Sequence, residues 1–191
     1  MPYSDNGVDL RLTEIFGDFV GHACDVGASD GVFNSNTLMF EQQGWTVLCV
    51  EPNPLLAAGG KENRKLWRQV AVGAADEEDV EFGVCGPAMP YPSRSSLGKQ
   101  PRDGGDPADR VVRVKVRMLD RLLEEAGFPR LDYLTVDVEG WEREVMAGFT
   151  VERWKPKVIV LEEWTESPII IPGYSIIEKR QYDNIYVRGE A

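Results

Sequence analysis

Gly21-His-Ala-Cys-Asp-Val-Gly-Ala-Ser-Asp-Gly31, followed at the distance of one helix by Trp45-Thr-Val-Leu-Cys-Val-Glu-Pro-Asn-Pro54, decides how this chain folds. Each segment contains a short apolar run, residues 19–25 and 47–51, which predicts a buried strand. The residues between them are typical of a helix that begins at a polar cap and ends at Gly44. A strand, a helix and a second strand in this order predict a βαβ unit with parallel strands.

The turn after the first strand has the composition of a cofactor loop. Gly27 and Gly31 allow a tight turn in which the backbone approaches another group closely. A dinucleotide fingerprint needs glycine where Ser29 stands, and Asp30 would repel a pyrophosphate. Glu51, about 20 residues after the glycines, is placed to hold the hydroxyls of a ribose. The loop therefore favours a nucleoside cofactor with a cationic sulfonium and no phosphate over a purely structural crossover.

Short motifs stand in order along nearly the whole chain: Tyr3-Ser-Asp-Asn-Gly7, Asp25-Val-Gly-Ala-Ser-Asp-Gly31, Ser35-Asn-Thr-Leu38, Glu51-Pro-Asn-Pro54, Asn63-Arg64, Ala71-Val-Gly73 and Asp137-Val-Glu-Gly140. Together they resemble the FkbM-type methyltransferases. The resemblance implies an α/β, Rossmann-like class I methyltransferase fold and S-adenosyl-L-methionine as the cofactor. It also implies O-methyl transfer, often to sugars or other hydroxylated metabolites. Asp5 stands where the family pattern usually has Gln, so the N-terminal segment is given no role.

The residues expected to bind this cofactor lie at the ends of the first strands and in the turns that follow them. Backbone groups of residues 27–31 would carry the methionine portion, and the helix start at Asn36 and Thr37 would favour its carboxylate. The end of the third strand would flank the adenine. The predicted set is Asp25, Gly27, Ala28, Ser29, Asp30, Gly31, Asn36, Thr37, Glu51, Pro52, Gln69, Ala71 and Asp137.

Three acidic residues, Asp137, Glu139 and Glu162, follow the predicted strands at residues 131–137 and 157–161. Ligands bind at the carboxyl ends of such strands, and burying unpaired carboxylates there is costly. An acceptor hydroxyl, the cofactor's ammonium or a cation should therefore compensate them. We predict that Asp137 or Glu139 orients or deprotonates the acceptor, with Glu162 as a third catalytic candidate. Because clustered carboxylates suit Mg²⁺, a metal-assisted variant stays open.

Residues 86–110 predict a long loop without periodicity, rich in Pro, Gly, Ser, Asp and Arg. Ser95 and Ser96 match a Ser-Ser element of the family, and Arg94 belongs to a locally basic patch. We expect a lid over an acidic or sugar-phosphate acceptor, with these three residues as substrate contacts. A solvated, disordered loop is the alternative.

The segments around this loop complete the predicted sheet. Residues 55–65 predict a short helix broken at its two glycines, and residues 66–72 predict the third strand. The acidic run 76–79 reads as a solvated turn. The alternating runs 80–84 and 111–116 are expected to pair as a ribbon beside the main sheet. A helix within residues 3–16 is expected to cover one edge of the sheet.

The C-terminal portion departs from the family pattern. Prolines at 168 and 172 leave no room for a helix in residues 166–173, whereas residues 174–178 and 184–188 read as an antiparallel hairpin. The helix that normally precedes the last two strands is therefore expected to be missing. Part of the sheet near residues 169–171 would then be uncovered, and we predict that this apolar segment or a partner subunit, as in a homo-oligomer, covers it.

The length and composition of the chain predict one domain and argue against some classes of protein. The 191 residues, 42% of them hydrophobic, are expected to form a single methyltransferase domain over residues 1–191. A net charge of −11 argues against nucleic-acid binding, because phosphate contacts need a positive surface. No apolar run approaches the ~20 residues of a membrane span, and no signal pattern begins the chain.

The cysteines at 24, 49 and 85 read as buried reduced thiols, which suit a cytoplasmic protein. His22 lies inside the first strand and is expected to be structural.

Two competing functions remain besides methyl transfer to a small-molecule or glycan acceptor. The first is a non-catalytic S-adenosylmethionine-binding or protein-interaction module of the same fold. The intact glycine loop, Glu51 and Asp137 argue against it. The second is a nicotinamide enzyme, which the missing middle glycine disfavours.

Overall fold

The computed structural model describes residues 2–4, 6–85, 95–97, 110–164 and 167–189. The helices and strands in these residues are, in chain order, α1 (Val8–Phe16), β1 (His22–Val26), α2 (Leu38–Gln42), β2 (Thr46–Val50), α3 (Pro54–Asn63), β3 (Leu66–Arg68), β4 (Ala71–Val72), β5 (Glu77–Val84), β6 (Ser96–Leu97), β7 (Arg110–Arg117), α4 (Leu119–Glu125), β8 (Tyr133–Val136), α5 (Glu142–Ala147), α6 (Val151–Trp154), β9 (Val158–Glu162), β10 (Tyr174–Arg180) and β11 (Asp183–Arg188).

The main sheet has seven strands in the order β10-β11-β9-β8-β1-β2-β3. Strand β1 lies between β2 and β8 and pairs in parallel with both; β2 with β3 and β8 with β9 are also parallel. Strand β11 runs antiparallel to both β9 and β10. This confirms the predicted βαβ unit and the mainly parallel sheet that ends in a C-terminal antiparallel hairpin.

The central strands are buried on both faces because successive side chains alternate between two layers of core. On one face, Leu134 and Val136 of β8 pack with the apolar residues of α4 and α5. On the other face, Tyr133 packs with Leu12 and Phe16 of α1. Helix α1 therefore covers a face of the sheet, and the prediction that it covers an edge is wrong. Its apolar stripe is too fully buried for an edge position, since Leu12 has no exposed surface.

The predicted third strand is divided between two sheets, which corrects the single strand expected over residues 66–72. Strand β3 ends the main sheet, whereas β4 turns away and pairs with β7 in a second sheet of order β4-β7-β5-β6. The predicted ribbon forms the centre of this second sheet, with β5 antiparallel to β7. The acidic run is also corrected, since β5 begins at Glu77. Its exposed Glu78 pairs with Lys115 and Arg117 across the ribbon.

Helix α3 runs without a break through Gly59 and Gly60, contrary to the predicted interruption. The reason for Gly60 lies in packing: a Cβ atom there would stand 2.1 Å from the Trp67 ring. The glycine lets β3 approach the helix closely.

The segment before the C-terminal hairpin is not helical in the described residues 167–173, as predicted. Ile171 is buried in the main core and Ile169 packs against it, whereas Ile170 is 91% exposed. The apolar segment itself therefore covers this part of the core, and no partner subunit is needed for that purpose. The three cysteines are buried and free, as expected. None of the helices in the described ranges has the length and apolar character that crossing a membrane requires.

Candidate active site

The turn after β1 brings the ends of β1, β2 and β8 together. A Cβ atom at Gly27, whose φ is +88°, would lie 1.6 Å from the carbonyl oxygen of Asp137. The backbone N–H groups of Gly27 and Ala28 both donate to the carbonyl of Val50, at 2.9 and 3.2 Å. Only glycine fits at position 27, and the group that it approaches closely is the backbone of the acidic strand end. Ser29 also has a positive φ, of 53°, a strained geometry that is common at functional sites.

A fully buried arginine supports this turn from beneath. The guanidinium of Arg64 donates to the Glu41 carboxylate at 2.5 Å, to the Gly31 carbonyl at 3.0 Å and to the Thr37 hydroxyl at 2.9 Å. That hydroxyl in turn donates to Asp25 at 2.5 Å. Burial raises the pKa of Asp25, and the nearby Arg64 opposes that rise. The network fixes the loop and also explains Gly31, where a Cβ atom would meet the Arg64 side chain at 2.5 Å.

The end of β2 presents Glu51, which is 6% exposed. Its two carboxylate oxygens accept hydrogen bonds from the backbone N–H groups of Asn53 and Ser29, at 2.8 and 3.1 Å. Burial raises the pKa of Glu51 to about 8 even though these two hydrogen bonds favour the ionised form. The carboxylate has further acceptor positions, and it lines a cavity.

Two cavities lie over the carboxyl ends of β1 and β8. The first has mostly apolar walls: Val26, Gly27, Val50, Glu51, Pro52, Val70, Ala71, Val72, Phe82, Ser95, Leu97, Asp137, Val138 and Trp141. The second is polar: Asp25, Gly27, Ala28, Ser29, Phe33, Asn34, Ser35, Asn36, Asp137 and Glu139. Gly27 and Asp137 line both. An apolar cavity and a polar cavity on either side of the same two residues suit a ligand with one flat apolar end and one charged end.

The predicted acids do come together at this edge of the sheet. Asp137, Glu139 and Glu162 each place a carboxylate oxygen within 4.8 Å of the others. Desolvation in the crevice raises the pKa of Asp137 well above its usual range, and the neighbouring Glu162 adds to that rise. The cluster therefore gains from a shared proton, a cation or donor groups of a ligand.

Comparison with known proteins identifies the chain at this point. The model of the methyltransferase FkbM domain matches residues 25–169, most of the chain. The chain belongs to the FkbM methyltransferase family. It is also 33% identical over 88 residues to Methyltransferase sdnD of Sordaria araneosa, a match that covers 41% of this chain and 34% of that relative. The matched region is therefore about a third of the relative's length. No solved structure matches the chain.

In this FkbM methyltransferase a buried glutamate shapes the loop that carries Glu139. The Glu142 carboxylate accepts hydrogen bonds from the backbone N–H groups of Val138 and Gly140, at 3.2 and 3.1 Å. Glu139 itself has a positive φ of 54°, and Gly140 follows it with a φ of 89°. Burial raises the pKa of Glu142 to about 7. Its carboxylate acts on the acidic cluster by holding this tight turn.

A hydrogen-bonded link joins the end of β2 to the second sheet. The buried Ser95 hydroxyl accepts hydrogen bonds from the Asn53 side-chain amide and from the Cys85 backbone N–H, both at 3.0 Å. Asn53 is also the residue whose N–H donates to Glu51, and its side chain caps α3 by accepting from Leu55 N at 2.9 Å. Ser95 therefore ties the start of β6 to the residue that holds Glu51.

The FkbM domain places most of the predicted cofactor residues on the two cavities, with four exceptions. Gln69 is exposed and lies outside the linings. Asp30 turns back on its own loop and accepts from the N–H groups of Val32 and Phe33. The Thr37 hydroxyl is held by Asp25 and Arg64 behind the polar cavity. Gly31 supports Arg64 rather than either lining. Asn36 lines the polar cavity and donates to Thr135 at 3.2 Å.

Of the three predicted substrate contacts, Ser95 lines the apolar cavity and Ser96 is described only as part of β6. Arg94 lies outside the described residues, and so does most of the predicted lid. Sequence reasoning missed the supporting residues Glu41, Asn53, Arg64 and Glu142 and the cavity walls Phe82, Leu97 and Trp141. Asn53 and Arg64 each stood in one of the quoted motifs, which was the available signal. The walls come from the second sheet, whose position no local pattern indicates.

The raised pKa values predict how the stability of the unliganded protein depends on pH. Glu51 and Glu142 have folded-state pKa values of about 8 and about 7, above the ordinary value near 4.5 in the unfolded chain. Their stabilising contribution is complete below about pH 4.5 and is lost as pH rises through 7 and 8. We expect the free energy of unfolding to fall by about 3 kcal/mol or more between pH 5.5 and 8.5. Urea titrations at several pH values measure this, and a flat profile would contradict it.

The variants Glu51→Gln and Glu142→Gln provide the control for this pH profile. Each replaces a carboxyl group with a neutral amide of the same shape, so each should flatten part of the profile. Repulsion among the other acidic residues would contribute to the pH dependence of stability equally in both variants. The part of the pH dependence that a variant loses is therefore due to the buried carboxyl group that it replaces.

Proposed function

We propose that this methyltransferase is a Rossmann-like class I enzyme that uses S-adenosyl-L-methionine to methylate a hydroxyl group of a sugar or glycan. The observation that carries the proposal is Glu51 at the end of β2, in an apolar cavity that shares Gly27 and Asp137 with a neighbouring polar cavity. The mainly parallel seven-strand sheet, in which only β11 is reversed, supports the Rossmann-like assignment, because its cavities lie at the carboxyl ends of the parallel strands, where open α/β sheets bind ligands.

The residues present fit the proposed cofactor in shape and charge. The walls formed by Val70, Val72 and Phe82 suit a flat adenine, and the Glu51 carboxylate beside them can accept hydrogen bonds from ribose hydroxyls. The polar cavity offers Asp25 and Asn36 to an amino acid end with an ammonium group. A pyrophosphate would meet carboxylates in both cavities, which argues against a nicotinamide cofactor.

When bound, the cofactor supplies a methyl group on a cationic sulfonium. The work of the protein is to place the acceptor oxygen in line and to accept its proton, since positioning alone contributes much of such a rate. We assign proton transfer to Asp137, whose raised pKa makes it a stronger base once it is ionised. Glu139 and Glu162 lie within reach to hydrogen-bond or orient the acceptor.

Calorimetric titration with S-adenosylmethionine and with S-adenosylhomocysteine, together with thermal unfolding, tests cofactor use. Ligand at ~100 times its dissociation constant should raise the free energy of unfolding by about 2.7 kcal/mol. A mass-spectrometric screen of methylated products over a glycan and metabolite panel then tests catalysis. Binding without any product would favour the non-catalytic module, and binding of NADH instead would favour the nicotinamide enzyme.

The three-carboxylate cluster also supports a metal-assisted form of the same reaction. Oxygen ligands at this spacing suit Mg²⁺, which could orient the acceptor oxygen and lower its pKa. Loss of turnover with a chelator and recovery with Mg²⁺ would select this form. Unchanged turnover after chelation would leave proton transfer to a carboxylate.

Glu51→Gln should weaken the binding of S-adenosylhomocysteine about 10- to 100-fold at pH 8.5, because hydrogen bonds to an ionised acceptor are lost. Ribose hydroxyls favour the ionised form, so wild-type affinity should rise with pH until the pH passes the free-state pKa of about 8. The variant should lack this rise. Glu62→Gln, on the exposed side of α3, is the control. Equal affinities of the Glu51 variant and the wild type would contradict the assignment of Glu51 to the ribose.

Other parts of the proposal extend beyond the described residues. We propose a single domain over residues 1–191. The lid expected in residues 86–110 lies mostly outside the described residues, and a deletion tests its role. Deleting residues 99–109 should weaken acceptor use and spare cofactor binding. Buried free cysteines fit a reducing compartment, so we propose that the enzyme acts in the cytoplasm.

A further inference from the structure

Two stacked aromatic rings, one exposed and one partly buried, lie close in sequence to a member of the acidic cluster and belong to the lining of neither cavity. The rings of Trp164 and Tyr182 stack with their centroids 3.6 Å apart and their planes 22° from parallel. Trp164 is 41% exposed, and neither ring takes part in the buried core clusters. The exposed face of the Trp164 indole, held in place by its stacking on Tyr182, is available to a ligand.

The pairing of β9 with β11 places these rings at the carboxyl edge of the main sheet. Glu162, whose carboxylate lies with Asp137, pairs with Asp183 in the strand register. Trp164 is two residues beyond Glu162, and Tyr182 is the residue before Asp183. Two residues of chain span at most about 7 Å, so the backbone of Trp164 lies within that distance of Glu162, a member of the acidic cluster.

Glu163, between Glu162 and Trp164, anchors the platform rigidly. This residue is 4% exposed, and its carboxylate accepts hydrogen bonds from Asn184 at 2.7 Å and from Tyr186 and the Ile169 N–H at 2.6 Å. Its own N–H donates to the carbonyl of Tyr182 at 2.8 Å. The two aromatic residues are therefore attached to one buried, fully hydrogen-bonded anchor, which fixes the rings before any ligand arrives.

The charge at this edge limits what can lie on the rings. Asp183 and Glu162 pair in the strand register next to the two aromatic residues, and Glu162 clusters with Asp137 and Glu139, which line the polar cavity. A phosphate or carboxylate on the ligand would be repelled, whereas hydroxyl groups would find acceptors. The flat rings in turn favour the apolar face of a ring-shaped ligand.

We infer that Trp164 and Tyr182 form a stacking platform for the acceptor, and that the acceptor is a neutral, polyhydroxylated ring such as an unphosphorylated sugar. The inference rests on the proposed function, because it is the acidic cluster beside the platform that gives a bound hydroxyl its reaction. It revises the sequence-based expectation of an acidic or sugar-phosphate acceptor.

Ligand-observed NMR titrations with S-adenosylhomocysteine present test the platform. The probes are the neutral methyl glycosides of common hexoses and 6-deoxyhexoses, glucose 6-phosphate, and indole. At least one neutral glycoside should bind saturably, and glucose 6-phosphate should bind at least about tenfold more weakly. Trp164→Ala should weaken glycoside binding about tenfold, a loss that matches the worth of an aromatic contact. Trp164→Phe, which keeps a flat ring, should recover most of it. Ile170→Ala, at an exposed apolar residue of the same segment, should bind like wild type.

Several results would overturn the inference: no saturable glycoside, equal binding by Trp164→Ala and wild type, or tighter binding of the phosphorylated sugar. Saturable binding of indole alone would assign the platform to an aromatic acceptor instead. Thermal stabilisation by S-adenosylhomocysteine, measured in every variant, separates this outcome from failure of the proposed function. If that stabilisation is absent in wild type, the cofactor proposal fails, and glycoside binding without the nucleoside still decides the platform.

Discussion

Asp137→Asn is expected to lower the turnover number about 10³-fold, the range typical of losing a general base. Asp137 is the acidic residue that lines both cavities, and Glu162 beside it raises its pKa. Asparagine keeps the shape and cannot accept the proton. The affinity for S-adenosylhomocysteine should change by less than about threefold, because the contacts of Glu51 remain. Turnover is measured as release of S-adenosylhomocysteine with the acceptor found by the product screen.

The control for this variant lies at the other end of the same region. Asp132→Asn makes the same substitution before β8, where the carboxylate accepts from the His22 N–H at 2.9 Å, and it should leave turnover near the wild-type value. Because an ionised base is required, wild-type activity should rise with pH through the raised pKa of Asp137. A larger loss in Glu139→Gln or Glu162→Gln than in Asp137→Asn would move the base to that residue.

Arg64→Met should reduce the free energy of unfolding by about 3–5 kcal/mol, because removing one partner of a buried ion pair leaves the other charge buried without a counter-charge. The Arg64 side chain has no exposed surface, and its partner Glu41 is 6% exposed. The loss should also weaken cofactor binding, because the guanidinium holds the Gly31 carbonyl and the Thr37 hydroxyl under the loop. Urea denaturation measures the first effect and calorimetry the second.

Arg113→Met is the matched control, because Arg113 pairs with Asp79 and Glu81 on the open surface of the second sheet. Exposed pairs of this kind contribute about 0–1 kcal/mol. The double variant with Glu41→Met should recover part of the lost stability, since no charge is then stranded. If the two single variants unfold at the same urea concentration, the buried network does not have the role assigned to it.

The fold was largely predictable because its signals are local. Strands such as β8 and β9 are buried on both faces and read as short apolar runs that end in acids, so both their existence and the meeting of Asp137 with Glu162 could be inferred. The C-terminal hairpin and the missing helix followed from prolines and alternation in the same way.

The features that could not be predicted depend on contacts between residues that are far apart in the sequence. Residues 66–72 are apolar except for Arg68 and Gln69, and their division into β3 and β4 is decided by the pairing of β4 with β7, far along the chain. Arginine is rarely buried without a partner, and the carboxylate that pairs with Arg64 is 23 residues away, at Glu41. Phe82 and Leu97 could not be predicted as cavity walls either, because they reach the cavity only through the position of the second sheet.

The contact between Gly27 and Asp137 limits how such an enzyme could be redesigned. A side chain at position 27 would strike the main chain of the proposed base, so the loop after β1 and the acidic end of β8 can be altered only together. New acceptor preferences are therefore better sought in the second sheet and the C-terminal hairpin. Substitutions there leave the contact between the two parallel strands untouched.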